Sequence, residues 1–109
     1  MLKDDKFWGI VIYDILEDGC LLNGIWTNTS NKDKISNEIA RKIKSEGKYD
    51  TYTVCWIEPN DEVNEGKLII DKSDSLYYTL TWRYKDKSEY TGKGFRMNNK
   101  LVVTYWKTE

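Results

Sequence analysis

Histidine is absent from the 109 residues of the sequence, and cysteine occurs only twice. The lack of histidine excludes His-based acid–base catalysis, Ser–His and Cys–His nucleophile pairs, and nearly all zinc sites. Cys55 lies in an apolar run with no basic neighbour to activate its thiol, so it is interpreted as a small buried residue. No enzymatic activity and no cofactor are therefore predicted.

An excess of positive charge is also missing, because 17 basic residues face 18 acidic ones and the net charge is −1. Without a basic field to collect phosphates, nucleic acid is not predicted as a partner. No apolar run approaches the length of a membrane span, and the first residues contain no apolar signal segment. We therefore expect a cytoplasmic protein without a membrane partner, whose two cysteines are reduced.

The single proline lies in an acidic loop over residues 58–66. Oxygen ligands of this kind bind hard cations such as calcium, but the spacing of the four acids does not match an EF-hand. The loop is interpreted as a solvated hairpin connection, and no metal site is predicted.

What the sequence has in quantity is aromatic residues, with five Trp, eight Tyr and two Phe. Over residues 76–84 the even positions are large and apolar or aromatic. This period of two predicts a strand with one buried face and one solvent-exposed face. Residues 90–97 and 101–106 follow as strands, joined by Asn98 and Asn99, which tolerate the positive φ of a tight hairpin. The end of the chain therefore predicts an antiparallel meander of three strands.

Four earlier segments also have the composition of strands: residues 7–13, 20–27, 50–57 and 67–71. Asp18 and Gly19 predict a hairpin between the first two of them. Gly24 leaves room on the second strand for the ring of Trp26 or for an aromatic ring from a neighbouring strand.

The segment 34–43 has two interpretations. Three isoleucines recur at intervals of four residues: Ile35, Ile39 and Ile43. They fit one face of a helix, in which Glu38 and Lys42 would form an i,i+4 pair. They also fit one face of a strand, on which Asn37 and Arg41 would then point inward with them. An up-and-down barrel needs an even number of strands and the others number seven, so we favour a strand over a short helix around residues 34–45.

Together these segments predict an all-β fold, an antiparallel up-and-down meander of about eight strands that closes into a small barrel. Residues 1–109 are predicted to form a single domain.

An eight-strand meander with an early Gly-x-Trp motif and aromatic-rich late strands resembles the calycin group of barrels, which includes lipocalins, fatty-acid-binding proteins and avidins. The segment from Gly24 to Asn28 is similar to the Gly-x-Trp-x-Asn opening of avidins, where the asparagine helps to hold biotin. The chain has Lys32 where avidins carry a serine, and it lacks their Tyr-x-Ser pair. The resemblance implies a barrel with Asn28 at its rim, without biotin binding. The end of the chain also resembles small bacterial proteins of no established function.

The aromatic inner face of this barrel is the main functional candidate. A barrel of eight strands is just wide enough to be filled by side chains or to hold one small ligand. The face of Trp82, which includes Leu76, is taken as inward. Gly92 and Gly94 would either open a cavity there or let the rings pack. Tyr hydroxyls and Trp indole N–H groups would anchor a ligand. The candidate binding residues are Trp26, Tyr52, Trp56, Tyr78, Trp82, Tyr90 and Arg96.

Two functions follow from this pattern. The first is non-enzymatic binding of a small apolar or aromatic ligand inside the barrel. The alternative is a protein–protein interaction module with a filled core and no ligand. Such a module would meet a partner or a second copy of itself, forming a homodimer, through an edge strand or an outer apolar patch around Tyr77, Phe95 and Trp106.

Overall fold

The computed structural model describes residues 7–30, 34–58, 60–85 and 87–108. Each strand runs antiparallel to the next one in the chain, and the first pairs with the last, so the sheet closes into a barrel. The strands are β1 (Gly9–Leu16), β2 (Leu21–Asn28), β3 (Ser36–Glu46), β4 (Tyr49–Ile57), β5 (Val63–Asp71), β6 (Tyr78–Tyr84), β7 (Lys87–Met97) and β8 (Lys100–Lys107). The predicted all-β meander and its closure into a barrel are confirmed.

A short 3-10 turn at Glu17–Gly19 joins β1 to β2, and it is the one helical element within the described ranges. In the same ranges, no helix has the length and apolar character needed to cross a membrane.

Segment 34–43 lies largely within β3, so the strand interpretation is right and the helix interpretation is wrong. The expectation that its isoleucine face points inward is also wrong. Ile39, Asn37 and Arg41 are exposed, whereas Glu38 and Ala40 are buried. The cause is the pairing register. Ala40 lies opposite a core residue on each neighbouring strand, and a strand in that register must turn its even positions inward.

The barrel interior holds one continuous core of alternating inward side chains, against which the partly buried Tyr90 of β7 also packs. On β7 the inward positions include Gly92, and a Cβ there would lie 2.8 Å from Cζ3 of Trp82. A Cβ at Gly24 would likewise lie 2.7 Å from Cδ1 of Tyr13 on the neighbouring strand. The prediction that Gly24 makes room for an aromatic ring is confirmed. The space beside Gly92 is filled by Trp82, so this glycine lets a ring pack and does not open a cavity.

Leu76 does not line the interior as predicted, because β6 begins only at Tyr78. The side chain of Leu76 belongs to the connection before that strand and is 82% exposed.

The two ends of the barrel differ in their chemistry. We name one end of the barrel the mouth. There β1 begins at Gly9, which lies opposite Asn28 and Tyr105. At the base, the opposite end, β1 finishes at Leu16 and β4 begins at Tyr49.

A polar network around Asp50 closes the base. The side chain of Asp50 is 6% exposed and receives a hydrogen bond of 2.6 Å from Oγ of Ser45. Its Oδ2 also lies 2.9 Å from Nζ of Lys72 and 3.5 Å from Nζ of Lys42. Burial alone would raise the pKa of Asp50, but the Ser45 hydrogen bond and the two ammonium groups outweigh burial and lower that pKa. The buried acid at the base is therefore paired with two cations.

Candidate functional site

A cavity of about 60 Å³ lies inside the mouth of the barrel. This volume is enough for a few water molecules or for one small chemical group. Six of its lining residues are aromatic: Trp26, Trp56, Trp82, Tyr84, Tyr90 and Tyr105. Four are polar or acidic: Asn28, Glu38, Glu58 and Glu89. Val11 completes the lining.

The strands hold the aromatic rings of this cavity against one another. The ring centroids of Trp82 and Tyr105 are 5.5 Å apart, and Tyr90 meets Tyr105 edge to face at 5.7 Å. Trp56 and Tyr84 form another edge-to-face pair at 5.8 Å. Such offset and edge-to-face contacts are the favoured arrangements of aromatic rings. The walls of the cavity are therefore formed by rings that fix one another's positions.

Glu38 brings a carboxyl group to the inner end of the cavity and is 6% exposed. The hydroxyl of Tyr13 donates a hydrogen bond to Oε2 of Glu38. Nε1 of Trp82 donates to the same oxygen over 3.3 Å. Both donors are neutral groups. Oε1 receives neither of these two bonds.

Burial raises the pKa of Glu38 to about 7, against the lowering effect of the hydrogen bonds from Tyr13 and Trp82. Burial also raises the pKa of Tyr13 well above its ordinary value, and the charge of Glu38 adds to that rise. At neutral pH Tyr13 therefore remains a hydroxyl donor, while Glu38 is close to the midpoint of its own titration.

The rim of the cavity is polar and acidic. Glu58 is held in place because its Oε2 accepts hydrogen bonds from Nε1 of Trp56 at 2.8 Å and from Nδ2 of Asn64 at 3.0 Å. Across the opening, Nδ2 of Asn28 donates to the Tyr105 hydroxyl over 3.1 Å. Burial, followed by the charges of Glu58 and Glu89, raises the pKa of Tyr90. Among the described residues, no lysine or arginine lines the cavity.

Of the seven candidate residues from the sequence, the structure brings four to the cavity: Trp26, Trp56, Trp82 and Tyr90. Tyr52 and Tyr78 belong to the base, where the hydroxyl of Tyr52 donates to the Gly19 carbonyl over 2.8 Å. Arg96 is exposed near the end of β7 and donates from Nε to the Asn98 carbonyl over 2.8 Å. These three residues therefore lie outside the cavity.

Arg96 and Tyr78 do contribute to a second depression, of about 170 Å³, beside the base. It is larger than the cavity at the mouth, but two of its lining residues, Leu76 and Phe95, are among the exposed apolar residues of the surface. The lining of this depression is mainly polar, whereas that of the cavity at the mouth is mainly apolar, and we therefore regard the aromatic cavity as the candidate site.

Glu38 is the principal site residue that the sequence did not reveal. Residues 34–43 fit both a helix and a strand, and the isoleucine pattern predicts that the opposite face of the strand points inward. The usable signal was Ala40, a small apolar residue of the opposite parity that fits between bulky core residues. Tyr13 and Tyr105 were recognised as strand residues, but nothing in their local sequence points to the mouth.

The outer surface of the barrel carries exposed apolar side chains of its own. Ile25 on β2 and Ile39 and Ile43 on β3 are exposed on neighbouring strands. Phe95 and Trp106 are exposed as well. The ring of Tyr77 is half-buried, with Nζ of Lys93 4.0 Å from its centroid.

The fold and site define a closed eight-stranded antiparallel barrel with one aromatic cavity that contains a buried carboxyl group. Comparison of the chain with protein-family models, with curated protein sequences and with solved structures finds no match.

Proposed function

We propose that the protein is a non-enzymatic binding barrel for a small apolar or aromatic molecule, which inserts one small group into the cavity at the mouth. The observation that carries this proposal is a set of six aromatic rings around an open space, at one end of a continuous core of buried side chains. Pockets of this kind, apolar with a few convergent polar groups, are typical of small-molecule sites.

The size of the cavity limits what enters it. A volume of about 60 Å³ is smaller than the roughly 150 Å³ of an engineered protein cavity that binds benzene. The ligand therefore inserts one small group, and the remainder stays at the rim near Asn28 and Glu58. A long acyl chain enclosed within the barrel, as in fatty-acid-binding proteins, does not fit this volume.

The test uses benzyl alcohol as a neutral aromatic probe and nuclear magnetic resonance of the five indole N–H groups. We expect benzyl alcohol to shift the signals of Trp56 and Trp82, which line the cavity. The signals of Trp8 and Trp106, which are exposed, serve as internal controls. Equal shifts at all indoles, or none with millimolar probe, would exclude the proposed site.

A matched pair of variants sharpens this test. Trp56→Leu removes one wall of the cavity, whereas Trp106→Leu removes an exposed indole from the outer surface. We expect Trp56→Leu to weaken benzyl alcohol binding between about twofold and tenfold, the value of one aromatic contact. Trp106→Leu should leave the affinity unchanged. The reverse order would move the binding site to the outer surface.

An interaction module remains the second candidate, and the exposed isoleucines of β2 and β3 favour it. In this case a second copy of the chain would cover that face as a homodimer. Native mass spectrometry separates the two functions, because a dimer with an empty cavity supports the module and a monomer that takes up the probe supports the binder. Location in the cytoplasm stays a prediction from the sequence.

A further inference from the structure

We propose that the natural ligand is a small organic cation, a protonated amine carried on an apolar or aromatic group, whose ammonium group pairs with Glu38 inside the cavity. This inference rests on the proposed binding function and specifies the chemical class of its ligand.

The two buried acids of the barrel differ in the charge of their partners. Asp50 at the base has two lysines within 3.5 Å. Glu38 is equally enclosed, but its two hydrogen-bond donors are the uncharged groups of Tyr13 and Trp82. A buried carboxylate without a cation costs several kcal/mol. The same chain thus supplies counter-charges at the base, while the described residues of the cavity lining leave that role open for a ligand.

One oxygen of the Glu38 carboxyl group, Oε1, accepts neither of the two hydrogen bonds from the protein. Tyr13 and Trp82 both donate to Oε2, and Glu38 lines the cavity. We place the ammonium group against Oε1, which accepts neither of these bonds, so that both protein donors stay in place. An ammonium group, with three N–H donors and a small volume, fits a space of about 60 Å³.

The walls of the cavity are aromatic rings, which attract cations. The faces of Trp and Tyr rings attract cations within about 6 Å of their centroids. Tyr84, one of the lining residues, has Nζ of Lys85 5.2 Å from its ring centroid, so its ring accepts an ammonium group from this chain. Glu58 and Glu89 add acidic groups at the rim. Aromatic faces and carboxyl groups around one opening favour a cation and disfavour an anion.

Binding of such a cation depends on the ionisation of Glu38. Tyr13 on β1 and Trp82 on β6 donate to the carboxyl group of Glu38. The other titratable groups that line the same cavity are Tyr84 on β6, Tyr90 and Glu89 on β7, Tyr105 on β8 and Glu58 after β4. Burial raises the pKa values of Tyr13, Tyr90 and Tyr105, so these phenols stay neutral. With a pKa of about 7 for Glu38, affinity for a cation should fall about tenfold for each pH unit below 7 and level off above it.

The experiment compares three probes of one shape: benzylamine, benzyl alcohol and benzoate. At pH 8 we expect benzylamine to bind the wild-type protein at least about tenfold more tightly than benzyl alcohol, the usual gain of a charge-assisted hydrogen bond. Benzoate should bind most weakly. In Glu38→Gln the preference for benzylamine over benzyl alcohol should disappear, and the dispersion of the indole N–H signals reports whether the variant is folded.

The failures of the two proposals are distinguishable. If benzyl alcohol shifts the cavity indoles but benzylamine binds no more tightly, the cation inference is overturned and the binding function stands. If benzylamine binds Glu38→Gln as well as it binds the wild type, or if its affinity does not change between pH 5 and pH 8, the pairing with Glu38 is overturned. If none of the three probes reaches the cavity, both proposals fail.

Discussion

Glu38 is a carboxyl group enclosed by the barrel, and its burial makes the stability of the fold depend on pH. Its pKa is about 7 in the folded chain, against an ordinary value of 4.5. Below pH 4.5 the group is protonated in both the folded and the unfolded states and has no differential effect. Between pH 4.5 and 7 the unfolded chain releases the proton and the folded chain keeps it. The free energy of unfolding therefore falls across this window by about 3 kcal/mol and then levels off.

The variant Glu38→Gln removes this titration while keeping the shape of the side chain. We expect it to raise the free energy of unfolding by up to about 3 kcal/mol at pH 8 and to change it little at pH 4. Urea titration at the two pH values is the measurement. Glu65→Gln, at an exposed position, is the control and should have no effect at either pH. A variant that is less stable than wild type at pH 8 would contradict the burial of an unpaired carboxyl group.

Strand β3 shows how an element can turn its more apolar face to solvent. Ala40 is fully buried between Leu22 and Val54, whereas Ile39 next to it is exposed. Pairing on both sides fixes which parity points inward, because a slip of one residue would move every side chain of the strand to the other face. The strand therefore presents isoleucines outside the barrel and Glu38 inside it.

Substitutions at the adjacent residues Ala40 and Ile39 of β3 should differ in their effect on stability. We expect Ala40→Leu to lower the free energy of unfolding by about 1 to 3 kcal/mol, because the core around it has no room for added methylenes. Ile39→Thr keeps a β-branched side chain at an exposed position and should change stability by less than about 0.5 kcal/mol. Chemical denaturation of both variants is sufficient to check this. If Ile39→Thr were the more damaging variant, the orientation of the strand would be reversed.

Strand β3 is also the element whose inward face could not be predicted from the sequence. Strands such as β4 and β6 alternate clearly between apolar and polar residues, and their pattern reports the inward face directly. Gly24 also carries a local signal, since a glycine in a strand indicates a close approach by a neighbouring ring. The inward face of β3 is set by its partners, so no property of residues 34–43 alone assigns Glu38 to the interior. The cavity could be anticipated from the tryptophans, but its acidic end could not.

At the scale of the whole molecule, closure of the sheet changes which surfaces are available. In the closed barrel of the described strands, both edges of every strand are paired with neighbours. A partner strand cannot add to the sheet without opening it. An interaction through an edge strand is therefore disfavoured, and any homodimer would need the outer face. The two ends remain chemically distinct, because among the described residues Asp50 at the base has two lysine partners, whereas Glu38 at the mouth has neutral donors.

The seam between β1 and β8 also has a consequence for folding kinetics. Gly9 pairs with Tyr105 and Val11 with Val103, so closure joins residues from nearly opposite ends of the sequence. Every other pairing joins strands that are consecutive in the chain. Because the entropic cost of loop closure grows with the length of the loop, we expect the seam to form after the rate-limiting step.

Two matched core variants separate this order of events. Val103 on the seam and Val54 on β4 are both fully buried. Val→Ala at either site should lower the free energy of unfolding by about 2 kcal/mol. In stopped-flow measurements we expect Val103→Ala to speed unfolding and leave folding nearly unchanged, whereas Val54→Ala should also slow folding. A slower folding rate in Val103→Ala would mean that closure is part of the nucleus. If Val103→Ala folds at the wild-type rate, the barrel first forms as an open sheet. Until the seam closes, the two outermost strands of that sheet, β1 and β8, are exposed to other chains.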